Sequence, residues 1–393
     1  MSTKKYSLWM PTMDGSVTSY TVGRTPAPSW REAPTSNIRG RVAYAAAHVV
    51  ADPKGPNAPG EPAHLDWEAT LGFRYYLWRQ GLGVAEAMDT AQRGMGLDWA
   101  TTAELIRRSA AAAAEVDGAL VAGAGTDHAE ATLSDLESVI CAYAEQLEVV
   151  EDAGATPVLM ASHQLARLAR SPQDYATVYG RLLPQVRAPV ILHWLGPAFA
   201  PGLAGYWGHN TEAEALDTVV ALITEYATNI DGIKVSLLDA ELEVALRERL
   251  PLGVRLYTGD DFAYPTLIKG TQSSHSDALL GVFSAIAPAA AAALRALDAG
   301  DVATYDSILE PTVPLARHLF AAPTYHYKTG ISFLAWLNGH QPGFTMVGGL
   351  QSARSLPHLC QALRLADEAG VLNDPDLATR RMRHLLEAAG VSQ

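Results

Sequence analysis

Cysteine is almost absent from this chain: only Cys141 and Cys360 occur in 393 residues. Two thiols build neither a disulfide framework nor, on their own, a metal site. The expected setting is therefore reduced and cytoplasmic. Long apolar runs are missing as well, since none approaches the ~20 residues of a membrane helix. The start, MSTKKYSLWMPTMDGS, is polar and broken by Pro11, which does not fit a secretory signal. Positive charge is scarce, with 29 Lys and Arg against 42 Asp and Glu and a formal charge of −13. Nucleic-acid binding rests on neutralising phosphates, so this balance argues against such a partner. No G-x-G-x-x-G follows the first apolar run, which removes the dinucleotide-binding signature.

What is present is core material, 48% of the residues being hydrophobic, arranged in a repeating order. Short apolar runs cover 41–52, 82–88, 118–125, 156–162, 188–194, the lysine-containing DGIKVSLL, 253–259 and 277–285. Helical stretches separate them. DWEATLGFRYYLWRQG (66–81) has Asp66 as N-cap and Gly81 as stop, and further helices are expected over 98–115 and 132–154. Alternating strands and helices imply a parallel sheet with crossover helices. Eight such units in about 250 residues have the size of a (β/α)8 TIM barrel; a doubly wound open sheet is the competing layout. The expected organisation is an N-terminal extension over 1–40 carrying a hairpin, the barrel over 41–300, and a C-terminal helical region over 301–393 packed on it.

In a barrel of this kind the chemistry sits where strands end, so residues leaving each run are the candidates. They are His48 and Asp52; Asp89 and Thr90; Thr126, Asp127 and His128; Ser162 and His163; His193 and Trp194; Lys234 and Ser236; Asp260 and Asp261; and Ser284, with His275 just before its run. Each has a plain structural reading. A strand-end histidine can be a hydrogen-bonded packing residue. Asp260-Asp261 can cap the next helix, and Thr90 or Ser284 can be strand or cap residues.

Lys234 resists that reading. It stands in an apolar run with no acidic residue beside it, and a buried ammonium without a partner is costly. Desolvation lowers its pKa, and a partly neutral amine attacks a carbonyl to form a Schiff base. The resulting imine is an electron sink, so a neighbouring bond can break or form. Such a step needs a proton shuttle and a hydrogen-bonding cradle for the substrate's oxygens.

DGIKVS resembles the G-I-K-[ED]-[AS] strand of the dihydrodipicolinate synthase and N-acetylneuraminate lyase family, the class I pyruvate aldolases. YTGDDF (257–262) resembles that family's [SL]-G-D-D segment, and ALLGVFSAIAP (278–288) its G-x-x-G-x-I-S-x-x-x-N-x-x-P strand and turn. YHYKTGISFLAWLNG (325–339) resembles its last helices. The resemblance implies that Lys234 is the Schiff-base lysine, and it places Gly259, Asp260 and Ser284 among substrate-binding positions. His193, in ILHWLGP, stands where the family's proton-shuttling tyrosine would be, and His can serve as acid and base. The carboxylate-binding G-T-T-G-E loop falls on MDTAQ (88–92), where Thr90 alone survives. A second family tyrosine falls on MASHQLAR, so Ser162 and His163 take its place.

The chain is thus similar to a divergent branch of this family. The expected activity is that of a lyase or dehydratase acting on a small keto acid or keto sugar derivative. No cofactor is implied, and a homo-oligomer, dimer or tetramer, is. The altered cradle argues against pyruvate itself and against dihydrodipicolinate synthesis. Two other readings stand beside this one. His48, His128, His163, His193, Asp260 and Asp261 could ligate a divalent ion, as in metal-dependent aldolases or sugar isomerases. The chain could also be a barrel that binds a ligand without catalysis.

Overall fold

The structure is a computed structural model that describes residues 7–23, 28, 30, 37–129 and 133–393. The remaining parts of the expected 1–40 extension, and Thr132 at the start of the expected 132–154 helix, lie outside the described residues. Strands β1 (Ser7–Pro11) and β2 (Val17–Thr21) pair antiparallel, giving the expected hairpin. Eight strands then close into a parallel barrel: β3 (Ala43–Ala46), β4 (Gly83–Glu86), β5 (Leu120–Ala124), β6 (Thr156–Leu159), β7 (Val190–Leu195), β8 (Ile230–Ser236), β9 (Arg255–Thr258) and β10 (Asp277–Leu280). Each falls inside or on one of the eight apolar runs. Closure of β10 on β3 excludes the open sheet.

Between the strands run α1 (Trp67–Arg79), α2 (Trp99–Val116), α3 (Leu136–Asp152), α4 (His163–Leu168), α5 (Pro172–Leu182), α6 (Glu212–Glu225), α7 (Ala240–Arg247) and α8 (Tyr264–Lys269). The chain continues through α9 (Val282–Ala285), α10 (Ala287–Asp298), α11 (Val302–Leu309), α12 (Val313–Leu319), α13 (Tyr327–Leu337), α14 (Leu356–Glu368) and α15 (Pro375–Ala388). Asp66 caps α1 as read from the sequence, accepting from Ala69 N at 2.9 Å. The hairpin sits on the C-terminal helices, where the Tyr20 hydroxyl donates to Asp367 at 2.8 Å. Among the described residues no helix is long and apolar enough to cross a membrane.

Alternation along the strands decides which side chains reach the interior. On β7 and β8, Leu192, Trp194, Ile233 and Val235 join the layer beneath the helices. Ile191 packs inside the barrel with Val121, Val158, Tyr257 and Leu279. His193 and Lys234 therefore face inward, one layer above that plug.

The last run departs from expectation. Residues 277–285 read as one strand, yet β10 stops at Leu280. Val282 N donates to the Asp261 carboxylate at 2.8 Å instead of to a neighbouring strand, and the chain turns into α9. Gly281 permits the turn, because a side chain there would press on the rings of Phe320 and Tyr327.

Two buried acids brace the barrel from outside. Glu86 pairs with Arg74 at 2.8 Å, both fully buried, and Arg74 also donates to the His48 carbonyl, tying the ends of β3 and β4 together. Glu243 on α7 accepts from Thr258 Oγ1 at 2.9 Å and Ser276 Oγ at 2.8 Å. Burial pushes its pKa up to about 8. A carboxyl whose folded pKa is raised stabilises the fold below its unfolded value, and that contribution is lost as pH rises through about 8. Glu243→Gln keeps an acceptor without the charge. Its melting temperature relative to wild type is expected to rise between pH 5 and pH 9; a pH-independent difference would refute this account.

Candidate active site

The parallel register sets His193 on β7 beside Lys234 on β8, and Tyr257 on β9 on the other side. Lys234 is buried, with 8% of its surface exposed. Among the described residues its ammonium makes no hydrogen bond and no ion pair; its charged neighbours are Asp89 and Asp261. Gly259 makes room for the stem: a Cβ there would lie 2.9 Å from Lys234 Cε and 2.2 Å from Ser236 Oγ.

Burial lowers the Lys234 pKa, against the pull of Asp89 and Asp261. Burial pushes Asp261 up to about 8, against its hydrogen bond from Val282 and the Lys234 charge. An ion pair would drive both shifts the other way. Desolvation therefore outweighs the mutual attraction and favours the neutral amine beside the protonated acid. His193 is held well below the usual histidine range, first by burial and then by the Lys234 charge. Its Nε2 lies 3.2 Å from Ser236 Oγ, and among the described residues its buried Nδ1 has no partner.

Above this layer opens a cavity of about 230 Å³ lined by Asp89, Thr126, Ser162, His163, Tyr327 and Lys328, among others. Lys234 is not on its wall. Asp89 and Tyr327 connect the two levels, since Asp89 acts on Lys234, Tyr327 and Lys328 alike. Tyr327, from α13, bonds Thr90 Oγ1 at 2.7 Å. Its phenol stays protonated, because burial and then the Asp89 charge raise its pKa well above the usual value. Lys328 is buried, and burial lowers its pKa to about 8. Arg93, also on the wall, is fully engaged by Asp127 at 2.6 Å, Gln146 and backbone carbonyls.

The sequence candidates distribute unevenly over this site. Thr90, Ser162 and His163 are at or near the cavity, and Gly259 shapes the lysine channel. Ser162 spends its hydroxyl on capping α4 through Leu165 N at 3.0 Å and on Thr126 at 2.6 Å. His163 is exposed on the wall. Asp260 caps the turn after β9, accepting from Phe262 N at 2.8 Å and Ala263 N at 3.0 Å, so Asp261 is the member of the pair that faces the lysine. Ser284 donates to the Ala46 carbonyl and closes the seam between β10 and β3.

The other histidines lie elsewhere. His48 bonds Gln341 at 2.8 Å and packs edge-on to Phe73. His128 bonds Gln146 and Glu145. His275 precedes β10, at the opposite end of the barrel from the mouth. Among the described residues no three His, Cys, Asp or Glu side chains gather in a way that could hold a metal ion. Among the described residues the six ligands of the metal reading do not converge.

Strand-end reasoning missed Tyr327 and Lys328 altogether, since neither follows a strand. The signal that could have found them is α13 itself. Every residue of it is buried, and a lysine on a helix apolar all round has no solvent to face.

A family model described as "Protein of unknown function (DUF993)" matches residues 8–391. No curated protein matches the chain. Among solved structures, a putative dihydrodipicolinate synthetase from Pseudomonas aeruginosa is 13% identical with a TM-score of 0.63, covering 84% of this chain and 100% of that one. Dihydrodipicolinate synthase from Aquifex aeolicus is 14% identical with a TM-score of 0.63, over 84% and 99%. The chloride-inhibited enzyme from Acinetobacter baumannii, complexed with pyruvate, is 17% identical with a TM-score of 0.62, over 84% and 99%. At such identities the likeness shows the fold, and function must be argued from the site.

Proposed function

The chain belongs to the DUF993 family, and we propose that it is a Schiff-base-forming lyase acting on a small keto acid or keto sugar derivative through Lys234. The carrying observation is an inward-facing, buried lysine without a hydrogen-bond partner among the described residues, beside a buried acid whose pKa is raised to about 8. The dihydrodipicolinate synthase fold supports the same reading.

The neutral amine adds to the substrate carbonyl, and an amine proton passes to the oxygen to give a carbinolamine. Asp261 donates a second proton as the hydroxyl departs, so the products are water, a protonated imine on Lys234 and the Asp261 carboxylate. A neutral pair thereby becomes an ion pair inside the barrel, and the carboxylate balances the cation it helped to make. The imine then accepts the electron pair of the bond that breaks next to it. His193, neutral, holds the carbinolamine oxygen by a hydrogen bond at its Nδ1. Thr90 and Tyr327 supply hydroxyl donors at the mouth, and their mutual hydrogen bond orients both. Ser162, His163, Gly259, Asp260 and Ser284 shape the substrate's surroundings, with most of their polar groups already committed.

The test is mass spectrometry after incubation with pyruvate and a panel of keto acids and keto sugars under borohydride. A reduced adduct on the peptide containing Lys234 is expected, and its mass names the carbonyl partner. Absence of any adduct across the panel would refute the Schiff-base reading. A ligand-dependent melting shift without an adduct would then point to a binding barrel.

A further inference from the structure

Lys328 is 2% exposed, and among the described residues the one hydrogen-bond partner of its ammonium is the Met95 thioether at 3.1 Å. An ammonium carries three donors, and a thioether is a weak acceptor. Asp89 favours the charge from a distance but makes no ion pair with it. The side chain lines the cavity, while Arg93, the other cation there, is already engaged by Asp127. A buried cation with spare donors aimed into a cavity is costly when left so, and an anionic ligand group removes that cost.

We propose that Lys328 binds an anionic oxygen group, carboxylate or phosphate, on the same molecule whose carbonyl meets Lys234. The carbonyl end of this assignment rests on the Schiff-base reading above. The position also accounts for the altered MDTAQ loop. Thr90 there is engaged by Tyr327, so the anion's counter-charge comes from a helix beyond the barrel. Specificity would then depend on the distance between carbonyl and anion, because the two lysines are anchored on separate elements, β8 and α13.

The experiment uses ketones with the carboxylate one to four carbons from the carbonyl group: pyruvate, acetoacetate, 4-oxopentanoate and 5-oxohexanoate, each against its methyl ester. Dihydroxyacetone phosphate against dihydroxyacetone forms the phosphate arm. Borohydride adducts and melting shifts are read for wild type, Lys328→Met and Lys328→Arg. Wild type is expected to prefer one anionic member over its neutral partner by about 10- to 100-fold, the range of a charge-assisted hydrogen bond. Lys328→Met should lose that preference while still forming the neutral compound's adduct on Lys234, and Lys328→Arg should keep part of it. A preference unchanged in Lys328→Met overturns the proposal, as does an adduct mapped to Lys328 itself. If wild type forms no adduct but is stabilised by an anionic member, and Lys328→Met is not, the anion site stands and the Schiff-base reading falls. If neither adducts nor melting shifts favour an anion, the site is refuted.

Discussion

Lys234→Met is expected to abolish turnover and every borohydride-trapped adduct, while leaving the barrel folded and more stable than wild type. The first half follows from the proposed chemistry, in which the amine is the nucleophile and no neighbour supplies another primary amine at that position. Lys328 is held on α13 against Met95, on a cavity wall that Lys234 does not line. The second half follows from burial. Among the described residues the buried amine has no hydrogen bond, and a stabilising substitution at such a functional site typically gains about 0.5–2 kcal/mol. Methionine fills the same channel beside Gly259.

The sign with pH can also be fixed. A lysine whose folded pKa is lowered binds fewer protons folded than unfolded, so its burden on stability grows as pH falls below its ordinary value of 10.5. The advantage of Lys234→Met should therefore be larger at pH 6 than at pH 10, read from urea midpoints. Retained activity in the variant would end the lysine mechanism. Loss of folding would instead mean that the amine is a structural partner of Asp89 and Asp261.

The barrel was legible because hydrophobic periodicity and alternation are local properties. RVAYAAAHVVAD, GALVAGAG and APVILHW each carry the mark of a strand buried on both faces, and crossover helices between them leave few topologies. The shortened β10 was not legible, because it depends on Asp261 capturing Val282 N across a turn. The same limit separates Asp260 from Asp261. They are adjacent and chemically identical, and only the backbone path after β9 sends one to a cap and the other to the lysine. His193 was singled out as the polar residue ending its apolar run, but its protonation was not legible. A histidine at a strand end reads as a neutral-pH acid or base, whereas burial beside a potential cation holds this one well below that range. Tyr327 and Lys328 reach the mouth by a long return of the chain, and no periodicity within the barrel announces that.

That contrast between His193 and Asp261 leads to the second large effect. Asp261→Asn is expected to lower kcat by ~10²–10⁴, the usual range for a lost general acid. His193→Phe should cost about tenfold or less, the worth of one hydrogen bond. The reason is the match between pKa and task. Asp261, near 8, is protonated at neutral pH and still acidic enough to give its proton up. An imidazole depressed by burial holds no second proton to give. Wild-type activity should therefore fall as pH rises through about 8, because the acid form of Asp261 is lost there. In Asp261→Asn that alkaline limb should vanish along with most of the rate. Asparagine keeps an acceptor for Val282 N, so the turn into α9 should survive and melting should change little. If His193→Phe instead carries the larger loss and the alkaline limb persists in Asp261→Asn, the proton moves through the imidazole, and the raised acid is only the lysine's counter-charge.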